Sequence, residues 1–188
     1  RNDKYFTAQN NCVIETATGT LIAGCDPSEI PSDGSVKIIS GGAFSVSEDV
    51  YSLNIPDGVE KISEFAFATF PSLRAVKLPD SLAEIGDSAF LNCERLESVT
   101  FGSGLTRIGG WAFSSCKKLT QVEFPESLRV IEEYAFYENP LVTAKFRSPK
   151  NWFMKDWREN ETKVKLKNAK KAAALLTDKN NTYSFRRK

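Results

Sequence analysis

Histidine is absent from the 188-residue chain. Its absence removes Ser-His-Asp and Cys-His catalysis, imidazole-ligated metals and a histidine pH switch from consideration. Long apolar runs are absent as well; no stretch approaches the roughly 20 residues that a bilayer-spanning helix needs. Arg1 to Asn10 are polar and hold no apolar segment of the signal-peptide kind, so the expectation is a removed signal or a chain that starts mid-protein. Clustered Cys-x-x-Cys pairs of the zinc-binding sort are also missing. What remains is an ordinary globular composition, 41% hydrophobic and 26% charged, with enough length for one domain and a real core. The net charge of +1 hides a strong asymmetry. Residues 1–144 carry 11 Lys/Arg against 20 Asp/Glu, a balance of −9, and residues 145–188 carry 14 against 4, a balance of +10.

Repetition dominates the chain. Ala-Phe recurs at Ala43-Phe44, Ala66-Phe67, Ala89-Phe90, Ala112-Phe113 and Ala135-Phe136, always 23 residues apart. Ile39, Ile62, Ile85, Ile108 and Ile131 keep the same period, as do Val36, Val59, Leu82, Leu105 and Leu128. Val50, Leu73, Leu96 and Leu119 form a further column; so do Leu53, Val76, Val99 and Val122, and Ile55, Leu78, Phe101 and Phe124. A 23-residue unit cannot bury its apolar side alone, so the units must stack and share one core as a repeat solenoid. Leu96-x-x-Val99-x-Phe101 reads as a strand, because strand side chains alternate. The Pro-x-Ser or Gly102-x-Gly104 that follows turns the chain.

The pattern Leu-x-x-Ile-x-x-x-Ala-Phe-x-x-Cys-x-x-Leu-x-x-Val-x-Phe-Pro, which Leu105 to Pro125 fits throughout, resembles the BspA-like (treponeme-type) leucine-rich repeat. The resemblance covers about residues 36–147, five repeats, and implies a right-handed β/α solenoid with a parallel concave sheet. It also implies a bacterial secreted or cell-surface protein, not an enzyme and in need of no cofactor, whose relatives take part in adhesion to proteins such as host matrix glycoproteins. The last repeat is degraded: after Phe136 the apolar positions slip by one, to Leu141, Ala144 and Phe146.

Both ends read as caps. Residues 1–35 form an N-terminal hairpin cap, residues 36–149 the solenoid, and residues 150–188 a basic α+β C-terminal cap. Cys12–Thr16 and Thr20–Cys25 read as strands around Thr18-Gly19. A register in which Thr16 faces Leu21 and Ile14 faces Ala23 sets Cys12 opposite Cys25 at a non-hydrogen-bonded position, leaving a disulfide and two buried thiols as the open alternatives. At the other end, Val164 and Leu166 read as a short strand. Asn168 is the expected N-cap of a helix over Ala169–Thr177 that Asn180-Asn181 stop, and Tyr183 and Phe185 are expected in a final strand.

Few residues suggest chemistry. Cys93 and Cys116 share one repeat position with Ser47, Phe70 and Asn139, which reads as a buried column and not as a metal or redox pair. Glu132, Glu133, Asp156, Glu159 and Glu161 form no recognisable acid–base pair. Gly102-x-Gly104 lacks the setting of a phosphate loop.

Partner-binding candidates are clearer. Before each Ala-Phe stand Gly42, Phe65, Ser88, Trp111 and Tyr134, giving three aromatics in one outward-looking column, with Leu91 and Tyr137 close by. The strand face presents Tyr51, Arg74, Glu97 and Thr120 in one column; Ser52, Ala75, Ser98 and Gln121 in a second; and Asn54, Lys77, Thr100 and Glu123 in a third. These polar, variable positions are the expected protein-binding surface. The basic tail, Lys163 to Lys171 and Arg186 to Lys188, suggests an alternative partner, an acidic glycan or other polyanion. Its aromatics do not interleave with its basic residues, so no nucleic acid is expected; the lack of a long apolar run sets the expectation of no membrane insertion.

Overall fold

The computed structural model describes residues 5–24, 30–44, 49–156, 158–178 and 182–188. Cys25, Ser47, Trp157, Asn180 and Asn181 lie outside the described residues, and with them the readings made on those positions.

Three strands open the chain: β1 (Phe6–Gln9), β2 (Cys12–Glu15) and β3 (Thr20–Ala23). Asn10 and Asn11 join β1 to β2 with φ of 49° and 59°, the left-handed pair that a tight type I′ connection requires. The polar sequence Phe6–Gln9 gave no strand signal by itself. The β2–β3 hairpin differs from the expected register: Ile14 faces Leu21 and Glu15 faces Thr20, and a bulge then brings Val13 opposite Ala23. The register that set Cys12 against Cys25 is therefore not the one formed. Cys12 lies instead beside Gly24, where a side-chain carbon would stand 3.2 Å from its sulfur and 2.6 Å from the Phe44 ring.

Beyond this hairpin each coil contributes two strands. Two-residue strands β4 (Ile38–Ile39), β6 (Lys61–Ile62), β8 (Glu84–Ile85), β10 (Arg107–Ile108) and β12 (Val130–Ile131) form one parallel ladder. This ladder starts on β3, where Leu21 pairs with Ile39, so the hairpin is its first rung and Ile131 its sixth. The other strands are β5 (Ser52–Asn54), β7 (Ala75–Lys77), β9 (Ser98–Thr100), β11 (Gln121–Phe124) and β13 (Thr143–Phe146). They pair in parallel as β5–β7–β9 and β11–β13. The expected parallel sheet is present, its extended run being the isoleucine ladder, and a second row of parallel strands, broken between β9 and β11, lies on another side of the core. The one-residue slip read from Leu141, Ala144 and Phe146 holds: Val122 pairs with Ala144 and Phe124 with Phe146, 22 residues apart.

Between the strands the return path is turn structure, and no helix lies within the repeats among the described residues. It is bonded from coil to coil all the same. Phe67, Phe90 and Phe113 N–H donate to the carbonyls of Ala89, Ala112 and Ala135, each at 2.8 Å. The residue before Ala-Phe has φ of +68° at Gly42, +56° at Phe65, +55° at Ser88, +58° at Trp111 and +57° at Tyr134. In that left-handed conformation Phe65, Ser88 and Trp111 aim their N–H groups at carbonyls one coil on, of Asp87, Gly110 and Glu133, at 2.8–3.2 Å.

The core is a column of rings. Phe44, Phe67, Phe90, Phe113 and Phe136 stack near-parallel with centroids 5.1–5.4 Å apart. Phe101, Phe124 and Phe146 run alongside, and Trp152 closes that row 5.1 Å from Phe146. Cys93 and Cys116 are fully buried, with their thiols donating to the Phe67 and Phe90 carbonyls. Burial pushes the Cys93 thiol up to about 12, and Cys116 well above its ordinary range.

The C-terminal segment supplies β14 (Trp152–Lys155), β15 (Glu161–Val164), helix α1 (Ala169–Thr177) and β16 (Ser184–Arg187). Asn168 caps α1 by accepting the Lys171 N–H at 3.0 Å, and the helix buries Ala172, Ala173 and Leu176. Strand β16 runs antiparallel to β12, laying Phe185 on Ile131, and so ends the isoleucine ladder. The sheet order there is β12–β16–β14–β15.

Candidate functional site

Trp111, Tyr134 and Tyr137 form one aromatic cluster. Trp111 stacks on Tyr134 at 4.4 Å, and Tyr137 meets both rings edge-on at 5.8 and 5.7 Å. Trp111 remains 41% exposed, while the two tyrosines are half-buried beneath and beside it. The column does not continue as an aromatic edge. Phe65 is exposed but lies two coils away, and the residue between them in the column, Ser88, is buried. The cluster thus gathers residues from two adjacent coils, with the 23-residue spacing placing Trp111 over Tyr134 and the turn geometry bringing in Tyr137.

The strand face carries the other expected residues. Tyr51 is exposed beside β5, and Lys77 is exposed on β7. Arg74 and Glu97 bond one another across adjacent rungs at 3.0 Å. Glu123 accepts from the Arg147 guanidinium at 2.9 Å. Gln121 and Glu123 border a shallow groove of about 240 Å³ with Ser98, Thr143 and Lys145. Near Lys77, the Ser103 N–H and hydroxyl hold the Asp80 carboxyl low, with Lys77 adding a smaller share. That bond, Ser103 N–H to Asp80 at 2.6 Å, together with a Gly102 that leaves no room for a side chain against the Pro79 carbonyl, accounts for Gly102-x-Gly104 as turn chemistry.

The isoleucine ladder holds a charge series not singled out from the sequence. Lys37 pairs with Glu60 (3.4 Å) and Lys61 with Glu84 (3.2 Å); Arg107 bridges Glu84 (3.1 Å), Asp87 (3.5 Å) and Glu132 (3.4 Å); Arg186 of β16 reaches Glu132 at 3.2 Å. The signal was present as Lys61, Glu84 and Arg107 at one repeat position. These pairs mostly face water, so each is worth little alone. In the groove of about 430 Å³ beside them, lined by Lys61, Glu64, Glu84, Asp87 and Arg107, all but Glu64 belong to these ion pairs.

Carboxylates elsewhere are similarly engaged. Asp156 accepts from Arg158 and Asn160 in its own turn, Glu159 pairs with Lys155, and Glu161 with Lys188. Among the described residues no cluster of three Cys, Asp or Glu could hold a metal ion, and no helix is long and apolar enough to cross a membrane.

Comparison with known proteins gives a consistent answer. The BspA type leucine rich repeat region matches residues 28–157 in six copies, one more than the five Ala-Phe units. No curated protein matches the chain. Among solved structures, the leucine rich repeat protein of T. pallidum is 26% identical with a TM-score of 0.60, over 77% of this chain and 70% of its own. The pneumococcal vaccine antigen PcpA is 23% identical (TM-score 0.58; 79% of this chain, 51% of its own). A leucine rich cell surface protein from Faecalibacterium prausnitzii is 22% identical (TM-score 0.53; 79% and 41%). The chain thus spans about two fifths of that last protein and half of the pneumococcal one. These likenesses share the solenoid, and the family is one of bacterial repeat scaffolds suited to protein interaction. With the family's repeat matching most of its length, the chain belongs to the BspA-type leucine-rich repeat family.

Proposed function

We propose that this domain is a non-enzymatic protein-binding module of a secreted or cell-surface bacterial protein, acting in adhesion. Its partner is a folded protein, with host matrix glycoproteins as the first class to test. The observation that carries the reading is the Trp111–Tyr134–Tyr137 cluster. A large ring is held 41% exposed on a backbone position that disfavours large side chains. Tryptophan and tyrosine in such settings anchor protein interfaces, because a rigid ring adds contact area at little cost in side-chain freedom. In this reading the outward strand residues Tyr51, Arg74, Lys77, Glu97, Gln121 and Glu123 form a second, polar contact surface, and Phe65 is a separate outlying contact. Relatives described as a cell surface protein and a vaccine antigen support the location. No cofactor takes part in this mode of action.

The test is binding of the whole chain to immobilised fibronectin, fibrinogen and a neutral glycan at low and high salt. Salt-tolerant binding to one glycoprotein that is lost on Trp111→Ala and kept on Phe65→Ala supports the reading. Binding indifferent to Trp111→Ala removes the cluster from it, and silence across the panel removes the matrix proteins.

A further inference from the structure

One edge of the C-terminal cap is open. In the order β12–β16–β14–β15, strand β15 pairs on one side only among the described residues. Two bonds fix the direction of its backbone groups. Asp156 N–H donates to the Asn160 carbonyl where β14 turns into β15, and Lys188 N–H donates to the Asn151 carbonyl across the β14–β16 seam. Antiparallel alternation from these anchors turns the backbone of Thr162 and Val164 towards β14. The N–H and C=O groups of Glu161 and Lys163 then point away from the sheet, and Lys165 follows the end of β15 in the same phase.

Past Glu161, which Lys188 holds, the chemistry of this edge is one-sided. Lys163, Lys165 and Lys167 occur at alternate positions, the interval of about 6.7 Å at which an extended strand repeats its side chains. With Lys150 they line a groove of about 490 Å³ whose other walls are Pro149, Asn151 and Val164. No carboxylate lines it, and none of the four lysines has an ion-pair partner among the described residues. The nearby acids are taken: Glu159 by Lys155 and Glu161 by Lys188.

Lysine on an edge strand ordinarily serves to prevent unwanted strand pairing. Here it also selects. A second copy presenting the same edge would set lysine against lysine, whereas a strand with acids at alternate positions finds a cation opposite each of them. A polysaccharide has no peptide N–H and C=O ladder with which to use the edge. Single-stranded nucleic acid wants a free aromatic platform, and the Phe153 ring carries the Lys188 and Lys163 ammonium groups at 5.1 and 5.9 Å.

We propose that the free edge of β15 accepts an extended acidic peptide segment of a partner protein as an added strand, its alternate Asp or Glu side chains meeting Lys163, Lys165 and Lys167. This site is separate from the aromatic cluster, and the two stand or fall independently.

The experiment measures anisotropy of a labelled nonapeptide with Glu at alternate positions, titrated with the whole chain. Two N-methylated isomers accompany it, each with methyl groups on one alternate set of amides and an unchanged charge. One isomer is expected to lose binding and the other to keep it, since only one set of amides faces the edge. The exposed double change Lys163→Gln with Lys165→Gln should weaken binding about tenfold, given the modest worth of each exposed pair. Lys163→Pro, which deletes an outward N–H of β15, should weaken it further, with circular dichroism checking the fold. Trp111→Ala should leave it unchanged. Equal binding of both isomers, tighter binding of heparin or oligo-dT than of the peptide, indifference to the lysine changes, or no binding would each overturn the proposal.

Discussion

Phe113→Ala tests the ring column directly. Phe113 is fully buried, with Phe90 at 5.1 Å on one side, Phe136 at 5.4 Å on the other and Phe101 edge-on at 5.8 Å. Truncating a core phenylalanine costs about 3–5 kcal/mol, the spread reflecting how far the site can collapse. Here collapse is blocked. The Phe113 N–H is held by the Ala135 carbonyl and the Phe90 N–H by the Ala112 carbonyl, both at 2.8 Å, so hydrogen bonds and not the rings set the distance between coils. The cavity stays open, and the loss belongs in the upper half of that range, about 4–5 kcal/mol. Phe44 is the control. It ends the stack, is 5% exposed, and has Phe67 at 5.4 Å as its one ring contact among the described residues. Phe44→Ala should cost about 3 kcal/mol, because an end coil can relax. Urea denaturation followed by circular dichroism measures both, and the midpoint in heat should fall by about 10–20 °C for Phe113→Ala in a chain of this size. A loss below about 1 kcal/mol, or a Phe44→Ala cost equal to that of Phe113→Ala, would refute the reasoning.

Trp111→Gly should leave stability within about 1 kcal/mol of the parent: relief of a left-handed non-glycine backbone roughly cancels the added chain entropy and the lost ring contact. The same change should abolish partner binding, which surface plasmon resonance would show. Glu132→Gln unties the Arg107–Glu132–Arg186 link; the expected cost is about 1–2 kcal/mol, shrinking at high salt. Amide exchange should rise in β16 and stay unchanged in the middle coils. For Cys93, the native thiol titrates near 12 against an ordinary 9.0, so the neutral thiol's contribution is complete below pH 9 and lost as pH climbs towards 12. The urea midpoint should fall across that window, less steeply in Cys93→Ala, and Cys93 and Cys116 should react with a disulfide reagent at pH 8 only as fast as the chain unfolds.

The rungs were legible because a repeat is read many times over. Ile39 to Ile131 and Phe44 to Phe136 each declare the same burial five times, so a single ambiguous residue carries little weight. The one-residue slip before Ala144 and the cap on Asn168 were legible for local reasons, a shifted apolar pattern and an N-cap side chain. The β2–β3 register was not: the turn takes four residues, 16–19, so Glu15 meets Thr20 two residues away from the expected pairing, and the bulge at Val13/Ile14 then shifts it by one, neither with a compositional mark. Strand β1 escaped because its partner, and not its own polar residues, makes it a strand. In the site, the 23-residue spacing announced Trp111 over Tyr134, but that Ser88 is buried and Phe65 isolated depends on packing between coils. The open edge of β15 follows from sheet order, which no linear pattern records.

The left-handed column before each Ala-Phe has a consequence for how such a domain can change. At Phe65, Ser88 and Trp111 its backbone is held by a bond to the neighbouring coil, whatever the side chain, and Gly42 and Tyr134 adopt the same conformation. Scaffold and lettering are thus separable at this position: mutation there can rewrite what the surface recognises while the coils beneath keep their spacing. Duplicating a coil copies the position along with the scaffold, so each added repeat brings a fresh site for variation.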